Sequence, residues 1–542
     1  MEDTCKDCQC AYTTCAQLHT YAASVCKLSD GKPCQECVQM ELLDSQISQV
    51  HSQLVQLAHK RRALKTKINQ RHEPLIHCLP WSVASQIFED YVHQVHSDFD
   101  PKVASNSTYM RFGDWSPALF LSSICTTWRK MAFATSEIWR FINIPLLEDN
   151  PDIALKIKLL NECVERSCQR TLFIGVFQFQ LYDNPLFSQY SKKLCELEPL
   201  FRAIKKIACR SEEFTLWGLP TLALQLIIPT NTPNLRRVQI TDYLGVFGDE
   251  DDDPEAERWY NADISLAGPL LKDLHFGHGT DFLFDCCRIE WGTITTVTIM
   301  SAIKMKEGID ILRQAPHLRS CSFILKEGFD SRNPEKLPIV NSTLEKLHID
   351  FSRCGRDFVK KFADSVTLPS IQEFSLRTSN LIYMKPLFER SQCQVRTFSL
   401  TLDQNISEDD VLILLSILSS VEHFVLEAKN SKPIITNKFF ERLRDSRFTI
   451  NTKPSGASTN PLLPKLTSLS YTGKMYFTWR AFLEMFPSPG NVLAVGRPLS
   501  EVSLKLSSPV SGDLRDLKKL REIQQSKIKL AVMSLEDGED LL

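Results

Sequence analysis

The chain has 542 residues, 43% hydrophobic and 24% charged, a globular composition that can fill several cores or one long repetitive one and that excludes a wholly disordered protein. Its 63 basic and 65 acidic residues leave a formal net charge of -2, so no overall field draws it to nucleic acid or an anionic membrane, and a protein partner is expected. The opening MEDTCKDCQC lacks a basic region followed by an apolar core, and the longest apolar stretch, VLILLSIL at 411–418, is too short to span a bilayer, so a soluble intracellular protein of cytoplasm or nucleus is expected.

Residues 1–37 carry seven of the 18 cysteines. Cys5, Cys8, Cys34 and Cys37 form two C-x-x-C pairs able to offer four thiolates to a tetrahedral zinc ion. The 25 residues between the pairs and the missing knuckle glycines favour instead a loosely structured cysteine-rich tail, so neither metal nor cofactor is expected. The other cysteines are spread along the chain and read as reduced, mostly small core residues.

Residues 38–73 form a heptad helix. Leu43, Ile47, Val50, Leu54, Leu57, Leu64 and Ile68 alternate by fours and threes, with Arg61 in one apolar place. Such a stripe needs a partner, either a second copy of the chain through self-association or a surface of the chain itself.

Residues 74–145 read PLIHCLPWSVASQIFEDYV, then a polar interruption of about 20 residues, then PALFLSSICTTWRKMAFATSEIWRFINI. Leu79-Pro80 suits a helix start, and Val83, Ile87 and Tyr91 follow at four-residue spacing. A second helix is expected to carry Leu121, Ile124, Cys125 and Trp128 on one stripe. Periodicity alone favours an ordinary helical core. The motif, however, resembles an F-box, the match resting on Leu79, Pro80, Ile87, Phe88, Leu121, Ile124, Cys125, Trp128, Arg129, Ala132, Trp139 and Ile142. Ser82, where the family often has an acidic residue, and the insertion depart from it; the insertion and the upstream heptad helix resemble a fungal F-box-like subgroup. The resemblance implies docking to the Skp-type adaptor of a cullin ubiquitin ligase through Leu79, Pro80, Ile87, Phe88, Leu121, Ile124, Cys125, Trp128 and Trp139.

From 146 to 508 an apolar-x-x-apolar-x-apolar triplet recurs. Its copies are Leu235/Val238/Ile240, Leu271/Leu274/Phe276, Ile294/Val297/Ile299, Leu318/Cys321/Phe323, Leu344/Leu347/Ile349, Ile371/Phe374/Leu376, Val395/Phe398/Leu400, Val421/Phe424/Leu426 and Leu466/Leu469/Tyr471. An earlier possible copy is Ile204/Ile207/Cys209. From Leu271 to Val421 the copies start 23 to 27 residues apart, and Pro233, Pro269, Pro316, Pro369 and Pro464 stand two residues ahead of five of them. That period and triplet are the signature of a leucine-rich-repeat-like solenoid, one strand and one helix per turn, making the fold class α/β. After the Leu400 copy, Ser407 followed by Glu408, Asp409 and Asp410 predicts a capped helix.

The residue between the last two apolar positions should face the concave side: Gln239, His275, Thr298, Ser322, His348, Ser375, Ser399, Val425 and Ser470. The first seven are candidate contacts for an unidentified protein substrate, although a solvated sheet face accounts for any one of them. DEDDDPEAE at 249–257 and NTKPSGASTNP at 451–461 read as loops. Residues 509–542 read as a final helix capping the stack, then an acidic tail.

Phosphate-loop, zinc-helix and nucleophile-elbow motifs are absent from the sequence. Cys125, Cys286 and Cys287 lack any motif that would make one a nucleophile, and the N-terminal cysteines lack the alternating ligand spacing of a RING fold. A non-catalytic adaptor is therefore expected, with a repeat scaffold whose N-terminal helices only cap the solenoid as the alternative.

Overall fold

Tight turns set where the strands begin, and four of them are built on a proline. Leu235 N donates to Thr232 O at 3.2 Å, Leu271 N to Gly268 O at 3.2 Å, Leu318 N to Ala315 O at 3.3 Å and Leu466 N to Leu463 O at 3.2 Å. Each is a tight turn with Pro233, Pro269, Pro316 or Pro464 in its second place, where the ring's fixed φ belongs. The turn buries the first triplet residue and releases the chain as a strand.

The computed structural model describes residues 34–72, 79–98, 117–146, 152–178, 187–219, 221–241, 264–278, 287–328, 339–402, 406–428, 434–445, 462–486, 498–507, 514–524 and 528–535. Fourteen strands make one sheet: β1 (Phe141–Pro145), β2 (Leu172–Phe177), β3 (Ser211–Trp217), β4 (Arg237–Thr241), β5 (Asp273–Phe276), β6 (Thr296–Lys304), β7 (Ser320–Lys326), β8 (Lys346–Arg353), β9 (Glu373–Thr378), β10 (Thr397–Leu402), β11 (His423–Ala428), β12 (Ser468–Gly473), β13 (Glu501–Leu506) and β14 (Lys529–Ser534). Each lies parallel to the next in chain order. Parallel neighbours require a crossover, and helices supply many of them, as in a solenoid. In all nine triplets from Leu235 onward the last two residues fall on a strand, the first lies just before it, and all three are buried. Equivalent positions stack from repeat to repeat: the Phe398 ring lies 6.2 Å from Phe374 and 5.9 Å from Phe424.

The helix expected after Ser407 is Glu408–Ile417, with Ser407 Oγ accepting from Asp410 N at 3.2 Å. The heptad segment is helix α1 (Gln35–His72), which starts three residues ahead of the expected 38 and takes in Cys37. Among the described residues no helix is long and apolar enough to cross a membrane.

Three expectations need correction. Ile204 and Ile207 belong to the helix Phe187–Ala208, and Cys209 to the turn after it, so this triplet is no strand. The strand is β3, where buried Ser211 holds the first triplet place and hides the pattern. The expected boundary at 145 is crossed by the sheet, because Trp139/Ile142/Ile144 is itself a triplet and the last two residues lie on β1. The solenoid also passes 508: Leu514–Gln524 is helical, but β14 follows and pairs with β13, since Leu530 and Val532 alternate with Lys529 and Ala531 at the period of a strand. The stretches 99–116, 249–257 and 451–461 lie outside the described residues.

Candidate functional site

Of the nine residues matched to a docking motif, Ile87 and Phe88 sit on α2 (Trp81–Asp98), Leu121 and Ile124 on α3 (Pro117–Ile124), Trp128 on α4 (Thr126–Ala134) and Trp139 on the 3-10 turn Ser136–Arg140, while Leu79, Pro80 and Cys125 lie at the helix entries. Pro80 is exposed and Leu79 half-buried at the entry. Pro80 O accepts from Val83 N at 3.0 Å and Ala84 N at 3.1 Å, so the proline precedes the helix and Trp81 is its first residue.

The single second helix expected from the sequence is two. Cys125 is extended (φ -157, ψ 170), and its Sγ caps α4 by accepting from Trp128 N at 3.4 Å. The four-residue stripe is therefore broken, with Leu121 buried and Ile124 47% exposed.

The matched residues divide into two groups. Phe88, Leu121 and Trp139 are buried, which corrects their assignment as contact residues: they hold the helices together. Trp139 Nε1 donates to Ala132 O at 2.7 Å, and the half-buried Trp128 ring lies 4.9 Å from Phe88. Ile87 faces outward at 47% exposure. Val83, on the predicted stripe with Ile87, is exposed as well, and so are Trp81 and Phe120, which the sequence reading passed over. Their signal was the four-residue spacing of Val83 from Ile87 and of Phe120 from Ile124.

This unit is fastened to the first repeats. His96 of α2 lies 4.7 Å from Phe141 on β1 and 5.5 Å from Phe173 on β2. Burial, with His93 and Arg237 adding positive charge, lowers the His96 pKa to about 4. Arg140 ties the 3-10 turn to the strands, with Nε on Thr171 O at 2.8 Å and Nη2 on Glu212 at 3.1 Å.

The predicted concave residues are brought into one row. Gln239 is register partner to His275, His275 to Thr298, Thr298 to Ser322, Ser322 to His348, His348 to Ser375 and Ser375 to Ser399. Val425 and Ser470 continue the row. It also extends beyond the prediction, to Thr215 at one end and Ser503 at the other. A parallel row two residues earlier is charged: Arg237 lies 3.4 Å from Glu213 and 3.5 Å from Asp273, and Lys346 lies 2.7 Å from Glu373. Burial raises the Glu213 pKa against the pull of Arg237. Desolvation lowers that of His348, opposed by Asp350. Hydroxyls, imidazoles and paired charges in rows suit hydrogen bonding to another protein's surface.

Of the metal candidates, Cys5 and Cys8 lie outside the described residues, and Cys34 Sγ lies 3.5 Å from Cys37 Sγ. Among the described residues no group of three or more His, Cys, Asp or Glu is placed to hold a metal ion. Cys163 and Cys354 are buried, and burial pushes each thiol up to about 12. Both are unreactive core residues.

No family model matches the chain, and no curated protein does. Solved structures that match include the Rad7 and Elc1 complex of yeast, 13% identical over 81% of this chain and 98% of that one, with a TM-score of 0.29. Another is the TLR13-ssRNA13 complex, 11% identical over 62% of this chain and 50% of that one, with a TM-score of 0.28.

Proposed function

We propose that the chain is the non-catalytic substrate-recognition subunit of a Skp-cullin-F-box type ubiquitin ligase, working inside the cell. The observation that carries this is the division of the motif residues. With Phe88, Leu121 and Trp139 inside, the described residues leave the apolar surface of Ile87 and Ile124 exposed, and with it that of Trp81, Val83 and Phe120. Apolar side chains left outside on adjoining helices are the chemistry of a protein-docking face. The polar concave row from Gln239 to Ser399 would hold the target, and rate enhancement would come from holding target and activated ubiquitin together.

The test is co-purification of the full chain with a Skp-type adaptor, comparing the native chain with the pair Ile87→Asp and Ile124→Asp. Both side chains are outside, so the melting temperature should hold while adaptor affinity falls about a hundredfold. A native chain that fails to bind any such adaptor overturns the proposal.

One observation favours a second reading, a repeat scaffold whose helices only cap the solenoid: β1 and the Arg140 contacts fuse the helices to the first repeat. In that case the native chain binds no adaptor, and the Asp pair changes nothing.

A further inference from the structure

We infer that α1 pairs with α1 of a second copy of this chain, in antiparallel orientation, so that the protein is a dimer through a two-helix coiled coil. The seam is bare in the single chain: Leu43, Ile47, Val50, Leu54, Leu57, Leu64 and Ile68 are 42% to 62% exposed. At 38 residues the helix is about 57 Å long. Several such heptads bury enough apolar surface to pair, and the described residues of the same chain leave the seam uncovered.

Charge decides both occupant and direction. Residues 35–46 contain Glu36, Glu41 and Asp44 and no basic residue, whereas 60–67 contain Lys60, Arg61, Arg62, Lys65 and Lys67 and no acidic one. A parallel pair would set the two basic ends side by side, and would put Arg61, in the seam, against the partner's Arg61. An antiparallel pair sets acid against base at both ends.

The heptads also fix the register. With Leu43, Val50, Leu57 and Leu64 at d positions, and Ile47, Leu54, Arg61 and Ile68 at a, antiparallel packing brings each a against a d of the other helix. Centring the pair between Val55 and Gln56 sets Leu54 against the partner's Leu57, Ile47 against the partner's Leu64 and Leu43 against the partner's Ile68. Arg61 meets the partner's Val50, where its stem covers apolar surface and its head reaches water. On the flank, Asp44 falls beside the partner's Lys65. The pairing stands independently of adaptor binding.

Sedimentation equilibrium of the full chain tests it. The native protein should sediment as twice 61.9 kDa. Leu54→Glu with Leu57→Glu should give a monomer with an unchanged solenoid melt. Asp44→Lys alone, or Lys65→Asp alone, should weaken dimerisation about tenfold, since two symmetry-related contacts change from attraction to repulsion. The double variant Asp44→Lys with Lys65→Asp should restore it. Positions 44 and 65 are about 31 Å apart on one straight helix, so compensation must come from the second chain. A monomeric native chain, a dimer that survives the seam change, or a double variant no better than the singles overturns the inference.

Discussion

Apolar residues serve different ends in the two halves of this molecule. In the solenoid all nine triplets from Leu235 to Tyr471 are buried to 3% exposure or less, and the strand positions between them are polar or partly exposed. In the N-terminal helices the same residue types are shared between the interior, at Phe88, Leu121 and Trp139, and the outside, at Trp81, Ile87, Phe120 and Ile124. A stacked repeat uses its apolar side chains on its neighbours, whereas a short helical unit displaying surplus apolar side chains holds a surface in reserve. Solenoid substitutions should therefore read out as stability, and substitutions on the outer face of the helices as binding.

The sharpest way to break that contrast is Phe398→Ala. The ring sits between Phe374 and Phe424, with Phe388 6.3 Å away edge-on, and it has no exposure. Truncation should cost about 3–5 kcal/mol, read as a lower denaturant midpoint. A loss below about 1 kcal/mol would mean that the stack is looser than its contacts indicate.

A smaller effect tests the joint between the halves. His96 is held neutral between Phe141 and Phe173, its pKa lowered to about 4 mainly by burial, with His93 and Arg237 contributing. The unfolded chain takes up its proton near pH 6.5, the folded chain only near 4. The stability from this group is therefore present above pH 6.5 and lost as pH falls to about 4, an amount of about 3 kcal/mol. His96→Phe should remove that share of the acid sensitivity, measured as the pH dependence of denaturant midpoints in the two proteins. Identical profiles would show that the histidine does not fasten the helices.

The middle of the solenoid was legible in the sequence because its signal repeats: the triplet recurs from Leu235 to Leu466, its step is regular from Leu271 to Val421, and a proline precedes five of the nine copies. Its ends were not. Ser211 stands in an apolar place, Trp139 belongs to two patterns at once, and the strand of Leu530 and Val532 follows directly on a helical period. In the N-terminal unit the spacing of the apolar residues could not sort inside from outside, because a stripe is defined only while the helix continues. The backbone breaks at Cys125, a capping position that a residue count reads as one more helical place.

The smallest predicted effect separates a local contribution from a shared one. Ser407 Oγ caps its helix through Asp410 N, while Glu408 next to it accepts from Thr436 N at 2.8 Å and Phe439 N at 3.1 Å, reaching the following repeat. Ser407→Ala removes one hydrogen bond at one helix start and should cost about 1 kcal/mol. In a stack where each repeat contacts only its neighbours, that loss should stay local, appearing as about fivefold faster amide exchange over 408–417 with little change in the first strands. Glu408→Ala breaks contacts to two backbone amides of the next repeat, so faster exchange should spread into Asn437–Asp445. Equal spreading from both variants would mean that the repeats open as one body, and the contrast between the halves would then have to be redrawn around a single cooperative unit.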